Sequence, residues 1–166
     1  MSKRKITVAV TGLNNIDSPG PGIPVARALK ESEIYDIRII GLSYETLEPG
    51  IYMKEFVDKT YQIPLPSVGT EALKDRLKYI NSVENIDVII PNFDAELHNF
   101  IKIQDELKSQ FNIATALPTA EQFEERHKSS LGEFGKKYGV SVPKNKMIFS
   151  ANEIHSLTNE DRKSVV

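Results

Sequence analysis

The sequence predicts an open, doubly wound α/β fold built on a mostly parallel sheet. Short β-branched runs recur along the chain, and each is followed by a stretch of helical periodicity. The connections are long enough for parallel crossovers, and the runs are apolar throughout rather than alternating, as strands covered on both faces should be. The first run is Ile6-Thr7-Val8-Ala9-Val10-Thr11. A helix-breaking stretch from Gly12 to Gly22 follows, and then Ile23, Ala26 and Leu29 fall at helical spacing, with Pro24 suited to the first turn. The second strand is Ile37 to Leu42. Around Tyr61-Gln62-Ile63-Pro64 a short third strand is expected, after a turn at Glu48-Pro49-Gly50 and an unassigned apolar segment from Ile51 to Val57. Leu73, Leu77 and Ile80 form one face of a helix for which Thr70 is the candidate cap. Val88-Ile89-Ile90 is the fourth strand. Leu97, Phe100, Ile101 and Leu107 mark a helix ending near Gln110, and a last short strand is expected at 112–115.

The pattern changes after Leu117-Pro118, so residues 1–117 are expected to form one domain and 118–166 the beginning of another. Thr119 with Gln122 makes a capping-box pattern. Leu131, Phe134 and Tyr138 line a helix that Gly139 is placed to end in the left-handed conformation. Lys146-Met147-Ile148-Phe149 reads as a strand, Ser150 with Glu153 as another capping box, and Lys163-Ser164-Val165-Val166 as the start of a further strand. On this reading the chain is a piece of a longer protein.

Composition narrows the function. The 40% hydrophobic and 27% charged fractions of these 166 residues are ordinary for a globular chain. With 21 Lys+Arg against 23 Asp+Glu, the net charge of -2 offers no footprint for a nucleic-acid backbone. Cysteine is absent, which removes disulfides, thiolate metal sites and a cysteine nucleophile. No apolar run approaches the ~20 residues needed to span a bilayer, so no membrane partner and a cytoplasmic location are expected. His98, His127 and His155 lack ligand spacing, and no Gly-x-Ser-x-Gly elbow is present.

Ligands of open α/β sheets bind beyond the carboxyl ends of the strands, which directs attention to two loops. The first holds Gly12, Gly20 and Gly22, but Asn14 and Asp17 occupy the positions where a dinucleotide fingerprint needs glycine. This loop is either a flexible connection or a surface where Gly22 presents backbone N–H groups to an anion. The second, Pro91-Asn92-Phe93-Asp94-Ala95-Glu96, brings two carboxylates to a strand end. Asp94 and Glu96 either complement a helix dipole or face a crevice and bind a substrate's amine or hydroxyl groups. In Glu124-Glu125-Arg126-His127-Lys128, the residues alone suggest a solvated helix face.

Four elements in order resemble the N-terminal, Rossmann-like pre-ATP-grasp domain of the ATP-grasp superfamily and the start of its ATP-grasp α+β subdomain, in the manner of carbamoyl-phosphate synthase large subunits. They are Val8-Ala9-Val10-Thr11-Gly12 leading to Val25-Ala26-Arg27-Ala28-Leu29; Val88 to Leu97, similar to a strand followed by Pro-x-x-Asp-x-Glu-Leu; His127-Lys128 followed by Phe134 to Pro143; and Val165-Val166. The resemblance implies an ATP-dependent carboxylate–amine ligase working through an acyl phosphate, with ATP and Mg²⁺ as cofactors of the full-length protein and small carboxylate and amine substrates. It places Gly12, Asn14, Gly22, Asp94 and Glu96 on the substrate side and Lys128 against the ATP phosphates. His127 stands where the family has Asp, and the first loop is longer than usual. The strand lysine, adenine-gripping hinge and Mg²⁺-holding acidic residues would follow Val166 in a missing C-terminal part, so no catalytic residue is expected here and the isolated chain should be inactive. Two other readings compete: an NAD(P)-binding reductase or epimerase domain with Glu45 on the ribose hydroxyls, and a non-catalytic flavodoxin-like binding domain.

Overall fold

A computed structural model describes residues 3–15, 19–143 and 146–154. Its backbone divides into two compact units, Met1–Ala120 and Glu121–Val166.

In the first unit the elements run β1 (Arg4–Val10), α1 (Gly22–Lys30), β2 (Tyr35–Ser43), β3 (Lys59–Gln62), α2 (Thr70–Glu84), β4 (Val88–Ile90) and α3 (Asp94–Phe111). Every strand pairing is parallel, and the order is β3-β2-β1-β4. Val8 pairs with Ile39 on one side and with Val88 on the other, so β1 is the central strand. The period of two splits the strands' apolar residues between two cores. Ala9, Ile40, Leu42 and Ile89 pack with Leu73, Leu77 and Ile80 of α2 and with Phe100, Ile103 and Leu107 of α3. Val8, Val10, Ile37 and Ile39 pack with Ala26 of α1 and with Val57 on the opposite face. Helices on both faces of an all-parallel sheet make the fold doubly wound and Rossmann-like, as the apolar runs predict. The chain winds outward from β1 to β3 and then returns to the other side of β1 as β4. The winding therefore reverses between β1 and β4, and the carboxyl edge at such a reversal is where open α/β sheets bind ligands.

Several local expectations change. The segment after β2 forms a 3₁₀ turn at Pro49–Tyr52, and buried Val57 carries the crossover over the α1 face. Thr70 does not cap α2: it is already the first helical residue, and the cap is Gly69 at φ 101°, a conformation open to glycine but strained for threonine. The last strand shrinks to one parallel bridge, Val88 with Ala114. Asn112 leaves α3 in the left-handed conformation at φ 56°, and Ala114 is the one residue to reach β4, donating to Asp87 O at 2.8 Å and accepting from Ile89 N at 3.0 Å.

In the second unit, α4 (Ala120–Glu125) is followed by a 3₁₀ turn at Lys128–Ser130 and by α5 (Leu131–Tyr138). Gly139 ends α5 at φ 65°, as its sequence position predicts. Lys137 and Tyr138 both hold Glu125, joining α5 to α4, the tyrosine hydroxyl at 3.1 Å. Chain reversal lays Val140 and Val142 against Gly135, where a Cβ would meet Val142 Cγ2 at 2.7 Å. Lys146 to Phe149 is not a strand, because no strand lies beside it among the described residues of this unit, and Phe149 is exposed. The strand expected at Lys163 to Val166 lies outside the described residues. No helix among the described residues is long and apolar enough to cross a membrane.

Phe100 fills the core between α3 and the sheet. Phe100→Ala should lower unfolding free energy by about 3–5 kcal/mol through lost burial and the cavity left behind. Urea denaturation checks this, and a loss under about 1 kcal/mol would contradict the packing described.

Candidate functional site at the carboxyl edge of the sheet

The first loop is anchored rather than loose. Gly12, at φ 75°, turns the chain out of β1, and the N–H of Gly22 donates back to Gly12 O at 3.0 Å. Gly20 N donates to Asn14 O at 2.8 Å, and Asn15 and Pro19 form an antiparallel bridge. The two ends of this connection, 12–15 and 19–22, thus touch. The closure depends on glycine: a Cβ on Gly22 would sit 2.0 Å from Thr11 O. Leu13, 1% exposed, plugs the connection into the core and accepts the N–H of Gly50 at 3.0 Å. The flexible-connection reading fails at this base. Gly22's amide is also committed, so it does not present its N–H to an anion as expected.

Glu96 lies on the third residue of α3 and is 1% exposed. Its Oε1 accepts the hydroxyl of Thr11 and the backbone N–H groups of Asn92 (2.9 Å) and Phe93 (3.0 Å), while Oε2 accepts the hydroxyl of Tyr44. The bond to Phe93 is half of a capping box, which the apolar Phe93 side chain cannot reciprocate. Thr11 and Asn92 are further cross-linked: Asn92 N donates to Thr11 Oγ1 at 2.7 Å, and Asn92 Nδ2 to Thr11 O at 3.2 Å and Ile90 O at 2.8 Å. Tyr44 N donates to the buried Glu48 carboxylate at 2.7 Å, closing the turn after β2. One carboxylate thus gathers the ends of β1, β2 and β4.

Burial pushes the Glu96 carboxyl above the usual carboxylate range, against the pull of its four donors. Burial does the same to Glu48, opposed by the amides of Tyr44 and Glu45. The Tyr44 phenol is raised far above its ordinary value, first by burial and then by the adjacent Glu96 charge, so its hydroxyl remains a donor.

The structure therefore sorts the predicted residues. Gly12, Asn14, Gly22, Asp94 and Glu96 do come together at the carboxyl edge. Glu96 lies beneath the surface instead of facing a crevice, because its lone pairs are taken by internal donors. Asp94 is exposed at the first turn of α3, and Asn14 is half-buried at the neck of the first loop. Lys128 is exposed in the second unit. Glu45 is exposed on the turn after β2. Sequence reasoning missed Tyr44, Glu48 and Asn92, and took Thr11 only as a strand residue. A hydroxyl closing an apolar run, and a tyrosine one residue past another, were the available signals. The Tyr44 and Phe93 rings stand 6.4 Å apart, with Phe93 39% exposed, giving this edge an aromatic margin. Two surface grooves lie elsewhere, one between α1 and Met53 and Phe56, the other around Glu125, Phe134 and Lys137 of the second unit. Among the described residues, no group of three or more acidic or histidine side chains is placed to hold a metal ion.

No family model and no curated protein matches the chain by sequence. Among solved structures it is similar to the biotin carboxylase domain of a single-chain bacterial carboxylase, with a TM-score of 0.54 and 11% identity. The match covers 95% of this chain and 34% of that one, so this chain spans about a third of its neighbour's length. At that identity the likeness is one of fold.

The raised Glu96 carboxyl has a definite pH signature. A carboxyl whose pKa is higher folded than unfolded adds stability below its unfolded pKa and loses it as pH rises through the folded value. Glu96→Gln does not titrate, so its stability relative to the unsubstituted protein should improve from pH 4 towards neutrality. Urea midpoints measured across that range test the sign; the opposite trend would show that the four donors outweigh burial.

Proposed function

We propose that the chain is the N-terminal part of an ATP-dependent carboxylate–amine ligase of the ATP-grasp superfamily, comprising a pre-ATP-grasp domain at 1–117 and the opening of an ATP-grasp domain at 118–166. The observation that carries the reading is the fold likeness to a biotin carboxylase domain, an ATP-grasp type, over 95% of the chain and so over residues of both units. The ordered sequence elements from Gly12 to Pro143 support it independently. A carbamoyl-phosphate synthase-like activity through an acyl phosphate is the finer form of the proposal and rests on those elements alone.

On this reading the carboxyl edge of the first unit frames the substrate. The Asn14 amide and the Asp94 carboxylate would face small carboxylate and amine substrates, with the Gly12–Gly22 base and Glu96 holding their loops from below. Lys128 would meet the ATP phosphates. Phosphoryl transfer also needs a metal and positioned cations against the developing charge. The described residues hold no acidic cluster suited to Mg²⁺, so we assign that duty to the C-terminal part of the full-length protein and derive no step through the metal here.

Two calorimetric titrations test the proposal, one with MgATP and one with NADPH. The ligase reading expects no tight nicotinamide binding, and MgATP should yield no ADP from this chain alone. Tight NADPH binding sensitive to Glu45→Ala would overturn it in favour of a reductase or epimerase domain. For the full-length protein, ADP formation should require the carboxylate, which takes the γ-phosphoryl group, and displacement of phosphate from the acyl phosphate should require the amine.

A further inference from the structure

We infer that Glu96 is a positioning residue that makes three loops of the carboxyl edge into one mechanical unit, with Tyr44 and Thr11 as its arms. The inference deepens the proposed function in that it takes this edge as the substrate side, but its physical content concerns the first unit alone. Glu96 is built into the sheet's switch point, where the chain turns from β1 to β4, and it reaches every loop there through a different kind of group. It takes the Thr11 hydroxyl from the end of β1, the Tyr44 hydroxyl from the residue after β2, and two backbone amides from the loop after β4. No other side chain described here links all three strand ends.

Each arm continues outward. Thr11 leads into Gly12, whose carbonyl holds Gly22 and so the base of the first loop. Tyr44 is held at its backbone by Glu48, and the turn after β2 is tied through Gly50 N to Leu13 O within that same loop. Asn92 bonds back to Thr11 through its amide and its side chain. Hydrogen bonds and peptide chain together close a circuit: Glu96 bonds Thr11, the chain runs through Gly12 to Leu13, Leu13 O bonds Gly50 N, the chain runs back through Pro49 to Glu48, Glu48 bonds Tyr44 N, and Tyr44 bonds Glu96. A closed circuit transmits displacement, because no member can move far without stretching a bond elsewhere. A ligand that draws in one loop would therefore set the other two, and specificity at this edge would reside partly in Tyr44 and Thr11, which need not touch it.

The alternative is that Glu96 merely caps α3, as half a capping box would. The two roles differ in what the loss of a distant arm does. Tyr44→Phe removes one hydroxyl from Oε2 and leaves every direct bond of Asn92 and Phe93 intact. Amide hydrogen exchange on the full chain, read residue by residue, should then show Asn92 and Phe93 exchanging about fivefold to tenfold faster, the effect of about one hydrogen bond, with Leu73 and Leu77 in α2 unchanged. Thr11→Val should speed exchange at Tyr44 by a similar factor. Glu96→Leu should loosen all three loops together, and Glu96→Gln, which keeps an acceptor oxygen for the Oε1 donors, should restore most of the protection. If Glu96→Leu does not fold, the Tyr44 and Thr11 variants decide alone. Effects confined to the turn after β2 in Tyr44→Phe, or to the start of α3 in every variant, would overturn the inference. Because no ligand enters this experiment, its failure would leave the ligase reading standing, and tight NADPH binding would leave the circuit standing.

Discussion

The carboxyl edge of the first unit depends on one buried carboxylate finding enough donors. A carboxyl group at 1% exposure is tolerable only when its oxygens are occupied, and Glu96 accepts two hydroxyls and two backbone amides. The donors come from the ends of β1, β2 and β4. Removing the acceptor would cost about 1–3 kcal/mol for each buried donor left without a partner. The need is mutual, and it fixes where β1, β2 and β4 stop relative to α3.

A second constraint is steric and belongs to glycine. Gly12 supplies the positive φ that turns the chain out of β1, and Gly22 supplies a surface without Cβ against which Thr11 O can lie. Together they let an eleven-residue connection behave at its base like a short βα turn, so α1 begins where a compact turn would start it. Leu13 holds the connection down through burial.

Much of the fold was legible in the sequence because it follows from periodicity. The apolar runs at Ile6, Ile37 and Val88 and the helical spacing of Leu73, Leu77 and Ile80 all lead to the observed elements. What was not legible depends on tertiary partners. Lys146 to Phe149 has strand composition, yet a strand needs a neighbour to pair with. Thr70 has the right chemistry for a cap but sits one residue too late. For the candidate residues the sequence indicated a shared edge of the sheet but not their surroundings: Asp94 and Glu96 share a loop and a charge, and only the packing shows one at the surface and the other beneath it. Tyr44 and Asn92 offered no more than a place just past a strand, since their importance arises from Glu96, 52 residues on from one and four from the other.

The burial of Glu96 changes which chemistry the edge can perform. A buried carboxylate that accepts four internal donors is a poor ligand for an incoming amine, because the amine would have to reach a region shielded from water and compete with bonds already made. What the edge exposes above it is the Asn14 amide, the Asp94 carboxylate and the aromatic margin of Tyr44 and Phe93. That set offers neutral donors and acceptors, one negative charge and two ring faces. It contains no cation. The charge at this edge therefore favours a cation or a neutral hydrogen-bonding group over an anion, and that bias follows from the position of one glutamate on the third residue of a helix.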